Sequence, residues 1–336
     1  MTLAGRFSHA WRERRPRWPR RIRPRGSDVV VLYHRIAREA PDPAGLVVDP
    51  QRFRRQLEVL GAHFDVVPAA DILTPHIDAV QRPRAAITFD DGYADNLHVA
   101  APVLRGLGLP ATLFVVTDAL DDEQEFWWDR LAHLVSDAPA VDRAEIAVGR
   151  RRLALDLHDE PSRHRSLGVL NHLLMQQPPD QVELALARLR ALAGRGAPAT
   201  CERHRRLTRP QVVALSADSL WEIGSHTCTH SALRRLTPAR SAHELTASRA
   251  ALAHLLGRPP RLVSYPYGAP GTVGRGDARR AREAGYDLGF VNVPGPTEGV
   301  SPFAVPRISV GQWEPAEFLA RISRWSRRGP GPAAAP

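Results

Sequence analysis

The 336-residue chain contains no lysine; all 46 of its basic residues are arginines. That excludes a lysine nucleophile or Schiff base. Two cysteines, Cys201 and Cys228, are too few for a disulfide framework. No apolar run is long enough to span a bilayer. The N-terminus carries charge without a following apolar stretch, so it does not read as a secretory signal. These absences predict a cytoplasmic chain, or one peripheral to the inner face of the membrane. No glycine-rich phosphate cradle is evident, and no organic cofactor is called for.

What is present is a globular composition, 43% hydrophobic, with strand-like and helix-like segments in alternation. The net charge of +10 is concentrated at the ends. Residues 1–27 form a basic, proline-broken arm, and residues 321–336 an Arg/Pro/Ala tail. Both read as solvated disordered termini. The competing reading is a peripheral contact with an anionic membrane, nucleic acid or an acidic glycan.

Between these ends lies one domain over 28–320. Asp28–His34 reads as a strand, Phe64–Val67 as a second, Ala85–Phe89 as a third and Ala111–Val116 as a fourth. Asp49 and Pro50 open a helix ending near Gly61. A helix carrying Leu97, Ala101 and Leu104 completes a βαβ pattern. From about 118 to 206 the pattern changes to a mainly helical insertion. It contains helices over Glu125–Val135, Leu167–Leu174 and Val182–Leu192, and a hairpin around Gly149–Arg152. Alternation resumes with a capping box at Thr208–Gln211. Strands follow at Trp221, Leu262, Leu288 and Ala304, with helices from Thr237 and Asp277. About eight strands alternating with helices favour a (β/α) barrel over an open sheet.

The chemistry-bearing residues fall at strand ends, where such a barrel keeps its site. His34 ends the first strand, Asp90 and Asp91 the third. His226 and His230 follow Trp221–Ile223, Tyr265 and Tyr267 follow Leu262, and Arg307 lies in the last strand. Two adjacent buried carboxylates are unfavourable without a cation. Adjacent residues at a strand end point in different directions, so one can bind metal while the other holds a water. His226 and His230 in a turn can share one metal. An extended strand would instead make Cys228 a third ligand; the preceding Gly224 and flanking threonines favour the turn.

Thr88-Phe89-Asp90-Asp91-Gly92, Ser225-His226-Thr227-Cys228-Thr229-His230 and Tyr265-Pro266-Tyr267-Gly268 together resemble, in kind and order, the polysaccharide deacetylase family (NodB homology, carbohydrate esterase family 4). The resemblance covers roughly 28–310. It implies a distorted (β/α) barrel of about seven strands. It implies Asp90 as catalytic base and Asp91, His226 and His230 as ligands of a divalent metal. Zn²⁺ suits such a set, and Co²⁺, Ni²⁺ or Fe²⁺ also fit. The backbone N–H of Tyr267 would stabilise an oxyanion.

Two features depart from that pattern. Ser264 stands where many members carry arginine, and no histidine follows His254 to supply the usual late acid. Tyr33-His34 and the Tyr-Pro-Tyr-Gly motif resemble the exopolysaccharide deacetylase subgroup, in which an early-strand histidine is the acid; that role falls here to His34. Arg307 is the candidate to replace the missing arginine and orient Asp90. Tyr93, Tyr265 and Pro266 form the expected substrate-facing set, with Trp127, Trp128 and Trp313 as further aromatics able to stack on a sugar or to pack in the core.

The implied activity is hydrolysis of N-acetyl groups on amino sugars of a glycan or its precursor. Alternatives are an O-acetyl esterase on the same site and a glycan-binding protein without catalysis. Nucleic-acid binding is suggested only by the charged ends and has no recognition motif behind it.

Overall fold

The computed structural model describes residues 26–38, 42, 44–76, 82–120, 125–149, 151–193 and 204–326. The N-terminal arm up to residue 25, Cys201 and the last ten residues lie outside these ranges.

Strand β1 (Val29–Tyr33) is a run of β-branched and large apolar residues, and every one of them is buried. Burial on both faces is the mark of a parallel strand inside an α/β fold. Two short strands, β2 (Arg35–Ile36) and β3 (Val47–Val48), pair with each other beside the domain. Helix α1 (Pro50–His63) begins where Asp49 accepts hydrogen bonds from the backbone N–H of Gln51 (2.8 Å) and Arg52 (3.2 Å). It passes Gly61 by two residues, because Gly61 packs in the core without breaking the helix. After β4 (Asp65–Val66) and β5 (Arg84–Phe89), the segment around Leu97 starts as a π-helical turn, Asn96–Ala100. It continues as α2 (Ala101–Leu107), and β6 (Ala111–Val115) follows.

The chain then leaves the barrel. Helix α3 (Trp127–Asp137), the hairpin β7–β8 (Ala144–Val148 and Arg151–Leu155), α4 (Glu160–Leu174) and α5 (Pro179–Ala193) pack a core of their own around Leu134, Ile146, Leu170 and Leu186. Helix α4 starts seven residues before its sequence reading at Leu167. Its first turn is set by the Asp159 cap on the Ser162 N–H (2.8 Å), which apolar spacing does not register.

On the return, α6 (Arg209–Ser216), β9 (Trp221–Ser225), α7 (Pro238–Leu256), β10 (Leu262–Ser264), α8 (Arg275–Glu283) and β11 (Leu288–Val291) restore the alternation. The last strand is split into β12 (Val305–Pro306) and β13 (Ile308–Ser309) around Arg307. Helix α9 (Pro315–Ser326) then buries Phe318 and Ile322, so residues 321–326, read from sequence as tail, are helical.

The parallel order is β12-β11-β10-β9-β6-β5-β1-β13, with β4 on β5. Its two ends are one stretch of chain: Val305 and Pro306 register with Phe290 and Val291, and Ile308 and Ser309 with Val31 and Leu32. Residues 305–309 therefore close the ring, and Arg307 sits in the seam. This is a nearly closed, distorted (β/α) barrel with a mainly helical insertion. No helix among the described residues is long and apolar enough to cross a membrane.

Candidate active site

Every strand of a parallel barrel delivers its C-terminal end to the same rim. β5 delivers Asp90 and Asp91, β9 delivers His226, β10 delivers Tyr265, and the seam delivers Arg307. The Asp90 N–H donates to the Tyr33 carbonyl (3.1 Å), holding its strand end beside that of β1.

Asp90 is almost fully buried. Burial alone would raise its pKa, but the Arg307 guanidinium wins and holds it well below the usual carboxylate range, with His226 helping. The Arg307 contact is bidentate: Nη1 donates to Oδ1 at 2.8 Å and Nη2 to Oδ2 at 2.6 Å. Ser264 Oγ accepts from Arg307 Nη2 (2.8 Å) and donates to Asp90 Oδ2 (3.0 Å). A small residue at 264 thus makes room for an arginine arriving from another strand. Arg307 is itself 1% exposed. A buried cation of this size is tolerated because the carboxylate it meets is equally buried and geometrically matched.

Asp91, His226 and His230 bring one ligand atom each into a single cluster. Asp91 Oδ1 lies 3.5 Å from His226 Nε2 and 3.3 Å from His230 Nε2. Burial would raise the Asp91 pKa, but the His230 contact holds it below its ordinary value. His226 Nδ1 is 2.8 Å from the Ser264 carbonyl, which can only accept. Its proton therefore sits on Nδ1 and the Nε2 lone pair faces Asp91. Burial pushes the His226 pKa down to about 4, so the ring is neutral near pH 7. Asp91 Oδ1 and His230 Nδ1 are buried without a hydrogen-bond partner. Two imidazole nitrogens and an unsatisfied buried carboxylate oxygen fit a divalent cation of the zinc type.

The loop carrying the histidines is a strained turn. Asp91 (φ 72°), Thr227 (66°), His230 (57°) and Tyr267 (62°) are the non-glycine residues with positive φ among those described. All four lie in this site, and such strain persists only where surrounding contacts enforce it. Glu244 on α7 supplies much of that enforcement. Its Oε2 accepts from the N–H groups of Cys228 and Thr229, both at 2.9 Å, and its Oε1 from the Thr229 hydroxyl at 2.7 Å. Cys228 Sγ turns to the Glu244 carbonyl (3.6 Å), away from the cluster, and burial raises its thiol pKa to about 11. Gly224 is required here, because a Cβ would collide with the Phe114 ring.

His34, half-buried at the end of β1, acts electrostatically on both Asp90 and Asp91. Tyr267 places its ring edge-on to His230 (centroids 4.7 Å apart). The insertion adds Trp128, 4.7 Å from His230 and stacked on Phe126. A cavity of about 200 Å³ opens here, lined by Trp127, Arg130, Met175, His230, Ser231 and Tyr267.

Three residues expected to face substrate lie buried. Tyr93 is fully buried; its hydroxyl donates to Asp129 Oδ2 (2.7 Å) and accepts from Trp128 Nε1 (2.8 Å). Tyr265 is fully buried beneath β11, its hydroxyl donating to the Phe303 carbonyl (3.3 Å). Pro266 is buried and shapes the turn, accepting from the Gly268 N–H (2.7 Å). Trp313 likewise packs under Arg321 of α9.

These motifs coincide with a known sequence family. The model of the polysaccharide deacetylase family matches residues 78–142 and 182–289, just over half of the chain. The chain belongs to the polysaccharide deacetylase family. Its fold is also that of solved deacetylases. PplD from Streptococcus pyogenes, determined with acetate, is 17% identical over 88% of this chain and 98% of its own, with a TM-score of 0.57. IcaB from Ammonifex degensii is 18% identical over 90% and 98%, at 0.54. A de-N-acetylase from Aggregatibacter actinomycetemcomitans is 14% identical over 88% and 98%, at 0.53. No curated protein sequence matches the chain.

Glu244 and the bridging role of Ser264 carried no signal in the sequence. Glu244 lies 14 residues beyond His230, on a helix with no motif, and only the tertiary fold returns it to the loop.

Proposed function

We propose that this deacetylase removes N-acetyl groups from amino sugars of a polysaccharide, with a divalent metal held by Asp91, His226 and His230. The observation carrying the reading is the buried Asp90–Arg307 pair set against that three-residue cluster. A carboxylate kept ionised beside a metal-ligand set is the arrangement for activating water.

The cation, when bound, supplies Lewis acidity: charge stabilisation at a carbonyl oxygen and a more acidic water. The chain's own residues do the rest. Asp90, held ionised by Arg307 and Ser264, accepts the proton of the attacking water. Its depressed pKa makes it a weak base, so it is matched to water that is already acidified. The new C–O bond converts the acetyl carbonyl to a tetrahedral oxyanion, to which the Tyr267 N–H donates. Such a donor is worth roughly 10²–10³ in rate. His34 delivers a proton to the amine as the C–N bond breaks, leaving acetate and a free amino sugar. Trp127 and Tyr267, at the rim of the cavity, offer faces for a sugar ring.

The name of the Aggregatibacter neighbour, a de-N-acetylase, agrees with the nitrogen reading. The test is acetate release by the metal-loaded protein from N-acetylglucosamine oligomers and from acetylated xylan, beside Asp90→Asn. Release from the first substrate alone, lost in the variant, is the expected result. Release from xylan alone would make the enzyme an O-acetyl esterase. No release from either would overturn the proposal.

A further inference from the structure

A second cluster of metal-ligating side chains lies outside the active site, at the neck of the insertion. Glu125 Oε1 is 3.1 Å from His204 Nδ1 and 3.3 Å from His133 Nε2, and the two nitrogens are 3.1 Å apart. Glu125 and His204 are each 5% exposed. The three atoms thus form a nearly equilateral triangle. Ligands about 2.1 Å from a tetrahedral zinc ion stand about 3.4 Å apart, so the triangle is within a few tenths of an ångström of that spacing. The catalytic cluster, at 3.3 and 3.5 Å from its carboxylate oxygen, has the same dimensions.

Hydrogen bonding explains the triangle poorly. Each ring nitrogen carries at most one proton, and a proton aimed at Glu125 is not aimed at the other ring. One of the three contacts is then always left as two like groups facing each other. A single cation satisfies all three together.

The position in the chain gives such an ion a purpose. Glu125 stands where the chain enters the insertion, His133 lies on α3, and His204 stands where the chain returns. The residues next to His204 are pinned to the catalytic loop: Ala94 N–H donates to the Arg205 carbonyl and Leu207 N–H to the Gly92 carbonyl, both at 2.8 Å. Phe126 and Trp128, beside Glu125, flank His230. Asp129 Oδ1 lies 3.9 Å from His204 Nδ1, one vertex of the triangle. A cavity of about 920 Å³, lined by Trp128, Asp129, His133 and His204, gives solvent access and room for a fourth ligand.

We propose that Glu125, His133 and His204 form a second divalent-cation site of the zinc type, which cross-links the two ends of the insertion and holds its aromatic wall against the catalytic loop. The proposed role is structural, because the three residues join the entry of the insertion to its return.

The test is zinc content after chelation and equilibrium dialysis of the full chain against Zn²⁺. Wild type is expected to hold two equivalents, His226→Ala/His230→Ala one, and that variant with His133→Ala none. In the double-variant background, Zn²⁺ is expected to raise Tm, and Co²⁺ to give the intense visible bands of a four-coordinate site. Glu125→Gln, which keeps volume and polarity, is expected to abolish both responses while leaving the zinc-free Tm within a few degrees. A double variant without zinc, or a zinc response that survives both His133→Ala and Glu125→Gln, would overturn the proposal. Because the assay is run with the catalytic histidines removed, its outcome is independent of the deacetylase reading.

Discussion

The two histidine–carboxylate clusters have nearly the same size but rest on different supports. The barrel cluster stands on a strained backbone, with positive φ at Asp91 and His230, and is braced by Ser264, Glu244 and a buried Arg–Asp pair. None of Glu125, His133 or His204 has a positive φ. Strain and a buried cation are costs that a fold retains where reacting atoms must be placed. A cross-link needs only convergence. In the proposed reading, chemistry belongs to the first cluster and attachment to the second.

The sharpest way to break this contrast is at Asp90. Asp90→Asn is expected to lower the rate of acetate release by about 10²–10⁴ while both zinc equivalents remain, as metal analysis would show. An equal loss on Glu125→Gln would erase the distinction.

Arg307→Ala comes next. Leaving Asp90 buried without its partner is expected to cost about 3–5 kcal/mol in urea unfolding, with activity lost as well. Arg307→Lys should recover little, since an ammonium cannot reproduce the two parallel bonds.

The barrel cluster should also respond to acid. Burial holds His226 neutral down to a pKa of about 4, against about 6.5 when unfolded. Below pH 6.5 the unfolded state takes up a proton that the folded state refuses, so stability falls as pH drops from 6.5 towards 4. For metal-free protein the loss is about 3 kcal/mol, and His226→Gln should flatten it in unfolding measured across that range.

Glu244→Ala tests the brace alone. Removing three hydrogen bonds behind the histidine loop is expected to weaken zinc at the barrel site by about 10–100-fold. The neck site should be unmoved in the same titration. The smallest effect is expected of Tyr93→Phe. It removes the hydroxyl linking Trp128 to Asp129, at about 1–2 kcal/mol, and should change kcat by no more than a few-fold.

How much of this was legible in the sequence depends on how the residues are spaced. Asp90 and Asp91 are adjacent, and His226 and His230 share a turn, so a reader meets them together. Arg307 stands far from Asp90, and it was nominated by the arginine missing at position 264 together with the rule that strand ends converge. The burial of Tyr93 and Tyr265 was not legible, because aromatics near a motif can face solvent or core and only packing separates the two. Glu125, His133 and His204 occupy three separate places without a recognisable spacing, so nothing in the sequence joined them.

Local chemistry therefore decided the alternation of strands and helices, the cap at Asp49, and the identity of the carboxylates and imidazoles. These depend on neighbours a few residues apart, which the order of residues states directly. The bidentate Arg307–Asp90 pair, the Glu244 brace, the burial of Tyr93 and the meeting at the neck depend on how the ring closes and how the insertion folds back. Such contacts link residues tens to hundreds of positions apart, where only packing in three dimensions selects the partner.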